Sequence, residues 1–176
     1  WSIIAASFRV TAARGIDTLL AFVRFHAWAN DRILATAAGL SDAEFRRAAN
    51  LDHGSAFTTL RHLVDVDWSW RELCIGNDVG QTYVWDHGFV LDDLPALHAF
   101  CLEEDVRLRR YVESLDDAEL AESLAMSSDF AAPRWLVPAH VVNHGTQHRS
   151  ELARYLTECG HSPGDLELLD ALELRW

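Results

Sequence analysis

Four long stretches of the chain repeat their apolar residues every three to four positions, and no block alternates with the period of two that a half-buried strand needs. The first, over 17–38, sets Leu19, Phe22, Val23, His26, Ile33 and Leu34 at helical spacing and ends at Gly39. The second runs over 55–76, from Ser55 as a capping side chain to Gly76 as a stop. The third opens on Asp92-Asp93-Leu94-Pro95, with acid at the cap and proline in the first turn, and continues to about Leu115. The fourth begins between Trp135 and Pro138 and ends at Gly160, and a short fifth helix over 165–172 follows the Ser162-Pro163-Gly164 turn. Helices of this length joined by ordinary loops predict an all-α fold, a four-helix bundle with a short extra C-terminal helix. With 176 residues, no internal repeat and no linker, the chain reads as one domain over 1–176, with 1–15 as an N-terminal extension.

The formal net charge is −12, and all fifteen basic residues are arginine. A balance this acidic argues against a sequence-independent grip on nucleic acid or on an anionic membrane, both of which reward clustered positive charge. It leaves a small-molecule substrate as the expected partner. Cys74, Cys101 and Cys159 are odd in number, far apart and without a C-x-x-C pair, the usage of a reducing compartment. No apolar run reaches the length of a membrane span. The opening WSIIAASFRVTAA is interrupted by Arg9 and lacks a charged region followed by a clean apolar one. The expected location is therefore the cytoplasm.

The second helix is apolar on two sides. Leu63, Val66, Trp70 and Leu73 form one stripe, and Phe57, Leu60, Val64 and Trp68 another nearly opposite. Because each helix of a bundle should keep an outer face, the second stripe predicts a subunit interface, with a C2 homodimer as the default. The irregular piece over 77–91 carries Tyr83, Trp85, His87 and Phe89, and reads either as a functional loop walling a pocket or as a strap over the core.

The segment His140-Val-Val-Asn-His144-Gly-Thr-Gln-His148 carries the chemistry. Residues four apart share a helix face, separated by roughly 6 Å along the axis, so two imidazoles can converge on one ion about 2.1 Å from each nitrogen. The outer pair would be roughly 12 Å apart, so the metal pair is either His140/His144 or His144/His148. A third ligand must come from another helix, and His62, bordering the Leu63/Val66/Leu73 stripe, is the natural donor. Three imidazoles suit zinc, nickel, iron or copper and leave a position for water or substrate. His26, alone on a core face, reads as a hydrogen-bonded core residue.

Four segments, FHAWANDRIL at 25–34, GSAFTTLRHLVDVDWSW at 54–70, HVVNHGTQHRSEL at 140–152 and GHSPGDLELLDAL at 160–172, resemble the DinB-like family of bacterial proteins, the DinB/YfiT-like metalloenzymes, in order and spacing. That resemblance implies a metal triad of one histidine on the second helix and an H-x-x-x-H pair on the last, which falls on His62, His144 and His148. His140, one turn before the pair, would then either support a ligand from outside or merely pack beside the site. The implied cofactor is a divalent transition metal, foremost zinc or nickel, with iron or manganese as alternatives. The family includes S-transferases that use small bacterial thiols, and a maleylpyruvate isomerase. The implied activity is therefore a metal-dependent thiol S-transferase or hydrolase acting on a small molecule, with a non-catalytic metal-stabilised bundle or a metabolite-binding module as the competing class. Glu151 and Glu104 are candidate supporting carboxylates, and Asp65, one turn after His62, is a third.

Overall fold

The computed structural model describes residues 14–77 and 79–173, with the side chains of 172 and 173 excepted. Most of the expected N-terminal extension thus lies outside the described residues, and the first helix already begins within its span, at Gly15. Four long helices form the frame: α1 (Gly15–Ala37), α3 (Ala56–Cys74), α4 (Leu94–Glu113) and α6 (Leu136–Glu158). Short elements join them: α2 (Asp42–Arg46), α5 (Asp117–Ala121) and an antiparallel hairpin of β1 (Ser123–Ala125) with β2 (Ala131–Pro133), paired Leu124 to Ala132. The final helix, α7 (Leu168–Glu173), lies against α1 and starts three residues later than its sequence signal. The all-α reading holds, with the short hairpin as an addition. None of the described helices is long and apolar enough to cross a membrane.

The caps act as their chemistry requires. Ser55 accepts the Thr58 backbone N–H at the start of α3, and Asp93 accepts that of Ala96 at the start of α4, where Pro95 gives up no hydrogen bond. Helices α1 and α3 occupy opposite corners of the bundle, each lying beside both α4 and α6.

Buried side chains along α1 fall at 16, 19, 23, 26, 30, 33 and 37, a stripe of period near 3.6 that points inward, widened by 25, 29 and 34. Two apolar clusters fill the interior. One, around Ile33, Leu60, Val64, Leu97, Leu152 and Leu156, occupies one end; the other, around Val23, Leu108, Val112 and Val141, occupies the opposite end. Between them, every long helix turns polar on its inner stripe: His26 and Asn30, Asp67 and Arg71, Glu104 and Asp105, His148 and Arg149 are all buried.

The expected interface stripe on α3 is covered by the chain itself. Leu60, Val64 and Trp68 are buried, and Phe57 packs edge-on against Phe45 of α2 at 5.6 Å. The 77–91 segment completes the cover. Val84 is fully buried, His87 sits 4.8 Å from the Trp68 ring, and the Arg61 guanidinium lies 3.9 Å over Trp85. Asp65 accepts the Val84 backbone N–H at 2.7 Å, so this carboxylate fastens the segment. The loop is a strap, and the two-sided pattern of α3 follows from an added intramolecular layer.

Candidate metal centre

His62 lies on α3 facing α6, and His144 and His148 lie one turn apart on the facing side of α6, as i,i+4 geometry dictates. The three expected residues are brought together. His62 Nε2 is 3.1 Å from His144 Nε2, and the His148 ring meets those of His62 and His144 with centroids 5.1 Å and 4.6 Å away. Two nitrogens on one tetrahedral ion with bonds of about 2.0–2.1 Å are separated by about 3.3 Å, so the His62–His144 approach is close to what a shared cation would require.

A fourth ring joins them. His53, in the turn before α3, stacks on His62 at 3.7 Å and meets His148 edge-on at 5.0 Å. One nitrogen each of His53, His62 and His148 lie within 4.8 Å of one another, while His144 enters through its contact to His62.

The electrostatics suit a cation. Burial, followed by the neighbouring imidazoles, holds His62 down at about 4, and burial with His148 does the same for His144, also at about 4. At neutral pH both rings are therefore uncharged and keep a lone pair for a metal. The Nδ1 atoms of His144 and His148 are buried with no hydrogen-bond partner, a cost that a native core rarely leaves uncompensated. Glu151 Oε1 stands 3.5 Å from His148 Nδ1, too far for a good hydrogen bond but on the correct side to take that N–H. Its other oxygen accepts the Asp52 backbone N–H at 3.2 Å. The residues present therefore fit a divalent metal.

The remaining candidates stand elsewhere. Glu104 is buried in an ion pair with Arg71, reinforced by Arg107 at 3.2 Å, and does not support the histidines. His140 packs against Trp70 at 5.1 Å and lines a cavity of about 430 Å³ with Trp70, Met126, Phe130 and Asn143. Its ring is 6.0 Å from that of His144, one turn away. Cys74 and Cys101 are buried, and burial pushes both thiols up, to about 11 for Cys74, which leaves them inert as nucleophiles.

Behind the histidines lies the polar layer. Arg149 can only donate, so its 3.0 Å contact makes His26 Nδ1 an acceptor and leaves the ring proton on Nε2, which donates to Asp67 Oδ2 at 2.9 Å. Arg149 also donates to Asn30 Oδ1 at 2.7 Å, and Asn30 donates to Asp105 at 3.1 Å. His26, Asp67 and Asp105 offer three atoms within 4.8 Å, but the imidazole is already committed at both nitrogens, as expected of a core histidine. This layer abuts α6 at Gly145. A Cβ there would collide with the Arg149 guanidinium and stand 2.7 Å from His26 Cε1. The glycine between the two site histidines is what lets α6 approach.

His53 had no signal in the sequence. It lies off the helical period, nine residues before His62, and its position depends on a turn through Gly54, whose φ of +85° favours glycine. Asp52 and Gln147, which pin that turn to α6 at 3.2 Å, were equally invisible.

Compared with known protein families, residues 16–175 match the model described as DinB family, nearly the whole chain. No curated protein matches.

Proposed function

The chain belongs to the DinB family, and on that premise we propose that it holds one divalent transition metal through His62, His144 and His148 and uses it on a small molecule, as a metal-dependent thiol S-transferase or hydrolase. The observation that carries this reading is the convergence of uncharged imidazoles from two helices. Zinc or nickel suits an all-imidazole set, with iron or manganese as alternatives. When bound, such an ion supplies Lewis acidity, lowering the pKa of a thiol or water brought to it. The chain's own residues do the rest. The inner faces of α3 and α6 fix the rings, and Glu151 stands ready to orient His148 through Nδ1. The cavity bounded by Trp70, Phe130, His140 and Asn143 opens one turn from His144, and its mostly apolar lining suits the carbon skeleton of an electrophilic substrate.

Elemental analysis of protein prepared without chelator, then a screen of small thiols against electrophiles, tests the reading. About one metal per chain and metal-dependent turnover are expected; failure to bind any of these metals at stoichiometric level would sink it. A second reading, a metal that only staples α3 to α6, draws on the nearness of His53, since a closed structural site has four protein ligands. Metal binding without turnover, and a rise in melting temperature on loading, would favour it.

A further inference from the structure

His53 stands in the 51–54 turn, off both helices that carry the other three rings, and it alone of the four is exposed. The turn is nevertheless held firmly. The backbone N–H of Ala49 donates to Gly54 at 2.8 Å and that of Gly54 to Leu51 at 2.9 Å, while the Thr58 hydroxyl donates to the His53 carbonyl. From the other side, Glu151 accepts the Asp52 N–H at 3.2 Å and Gln147 donates to the Asp52 carboxylate at 3.2 Å. Both anchors belong to the stretch of α6 that carries His148, so the turn and the helix are registered to each other. The result lays an imidazole flat on His62, with 24° between the planes, and sets its edge toward His148.

Four imidazoles in such contact have too few acceptors for their protons if charged, and too few donors for their lone pairs if neutral. Stacking alone is a weak reason to hold an exposed ring in this place. One nitrogen each of His53, His62 and His148 already lie within 4.8 Å of one another, with His144 Nε2 3.1 Å from His62 Nε2, and a single cation answers their lone pairs together.

Resting on the reading that His62, His144 and His148 hold a divalent metal, we infer that His53 is a fourth imidazole donor to the same ion. It would bring the histidines that could hold the ion to four, and of these it alone is exposed. The other three rings are fixed by helices. His53 is held by a turn whose neighbouring Leu51 is buried in the core, while its own side chain is exposed.

Cobalt(II) titration of the metal-free full chain tests this, with visible absorption reporting coordination and chelator competition reporting affinity. Wild-type protein should give the intense bands of a four-coordinate site. His53→Ala should weaken affinity about 10-fold or more, at least what the loss of an outer partner costs, and reduce band intensity as water enters. His53→Asp, which supplies a carboxylate oxygen in place of the nitrogen, should recover part of the affinity with shifted bands, an effect that a merely structural role would not produce. A His53→Ala protein with wild-type affinity and spectrum, alongside a His144→Ala protein that has lost cobalt, overturns the fourth ligand and leaves the three-histidine reading standing. Wild-type protein that takes up no cobalt overturns both.

Discussion

Two histidine environments lie back to back in this bundle, and they differ in what their hydrogen bonds have left over. His26 is fully buried and committed at both ring nitrogens, to Arg149 and to Asp67. His144 and His148, facing the other way, keep Nδ1 atoms that no described group satisfies. Both environments bring three ligand-type atoms within 4.8 Å, so proximity alone does not separate them. Unmet valence does. Within the inner layer, the described atom left over is Asp67 Oδ1, and the charge of Asp67 is felt by both His62 and His144.

The sharpest way to break the comparison is to disturb the inner layer alone. Arg149→Met removes the cation that holds His26, Asn30 and the charge of Asp67 together, and should cost about 3–5 kcal/mol in urea unfolding. His26→Ala should likewise lower stability while leaving metal stoichiometry intact. A loss of metal as large as that of a ligand variant would mean that the two environments are one.

The converse variants should act the other way. Replacing His62, His144 or His148 by alanine should weaken metal binding about 100-fold, near 2.7 kcal/mol, while leaving the metal-free protein close to its original stability. His140→Ala should change neither stoichiometry nor affinity. Metal retained by His148→Ala but lost by His140→Ala would reassign the pair on α6.

Acid separates the two environments by sign. His62 and His144 titrate near 4 when folded against 6.5 in the unfolded chain, so between those values the unfolded state binds more protons. Their contribution to metal-free stability therefore falls as pH drops through that window. Asp105 does the opposite: burial, with Asp67 adding to it, raises its value from 3.8 to about 7. The folded state then holds the extra proton, and stability from this group falls as pH rises from about 4 to about 7. Urea midpoints across this range should show a shallow net slope in the metal-free protein. Asp105→Asn should show a steeper loss toward acid, because only the histidine contribution remains. An unchanged slope would remove Asp105 from the account.

The smallest expected effect is at the anchor of the 51–54 turn. Asp52→Ala cuts the bond from Gln147 and should lower stability by about 0.5–1 kcal/mol, while weakening metal affinity measurably. A wild-type affinity in that variant would show that the turn needs no fastening to α6.

What was legible in the sequence follows from period and chemistry. The four long helices have apolar stripes and side-chain caps that a local reading can find, and Gly76 and Gly160 mark ends that the structure keeps to within two residues. The short α2 and α5 carry capping boxes at Ser41/Glu44 and Asp116/Glu119 but no apolar run behind them, so the signal is present without the element. The second stripe of α3 was legible as burial but not as burial by what. An outer partner and an inner strap impose the same pattern on α3 itself, and only the fold shows Val84 and Phe45 in the role. At the site, the i,i+4 pair and His62 share helix faces and could be read. His53 is placed by a turn, and turns carry no period. Glu104 had the correct face but a closer claimant, Arg71, on the neighbouring helix.

Gly145 gives the two environments a mechanical relation. The helix bearing His144 and His148 faces His26 of α1 through a position with no side chain, and its own Arg149 guanidinium folds back into the gap to reach His26 Nδ1 at 3.0 Å. A guanidinium thus serves as a bearing surface that sets how far this helix stands from α1, and with it the gap across which His144 meets His62. The gauge of the proposed site is cut from behind, by groups that never touch an ion. A methyl group at 145 would leave all four histidines in the sequence and still shim the helix outward. The selectivity of the site among ions of different radius is therefore open to adjustment from the interior, with the ligands untouched.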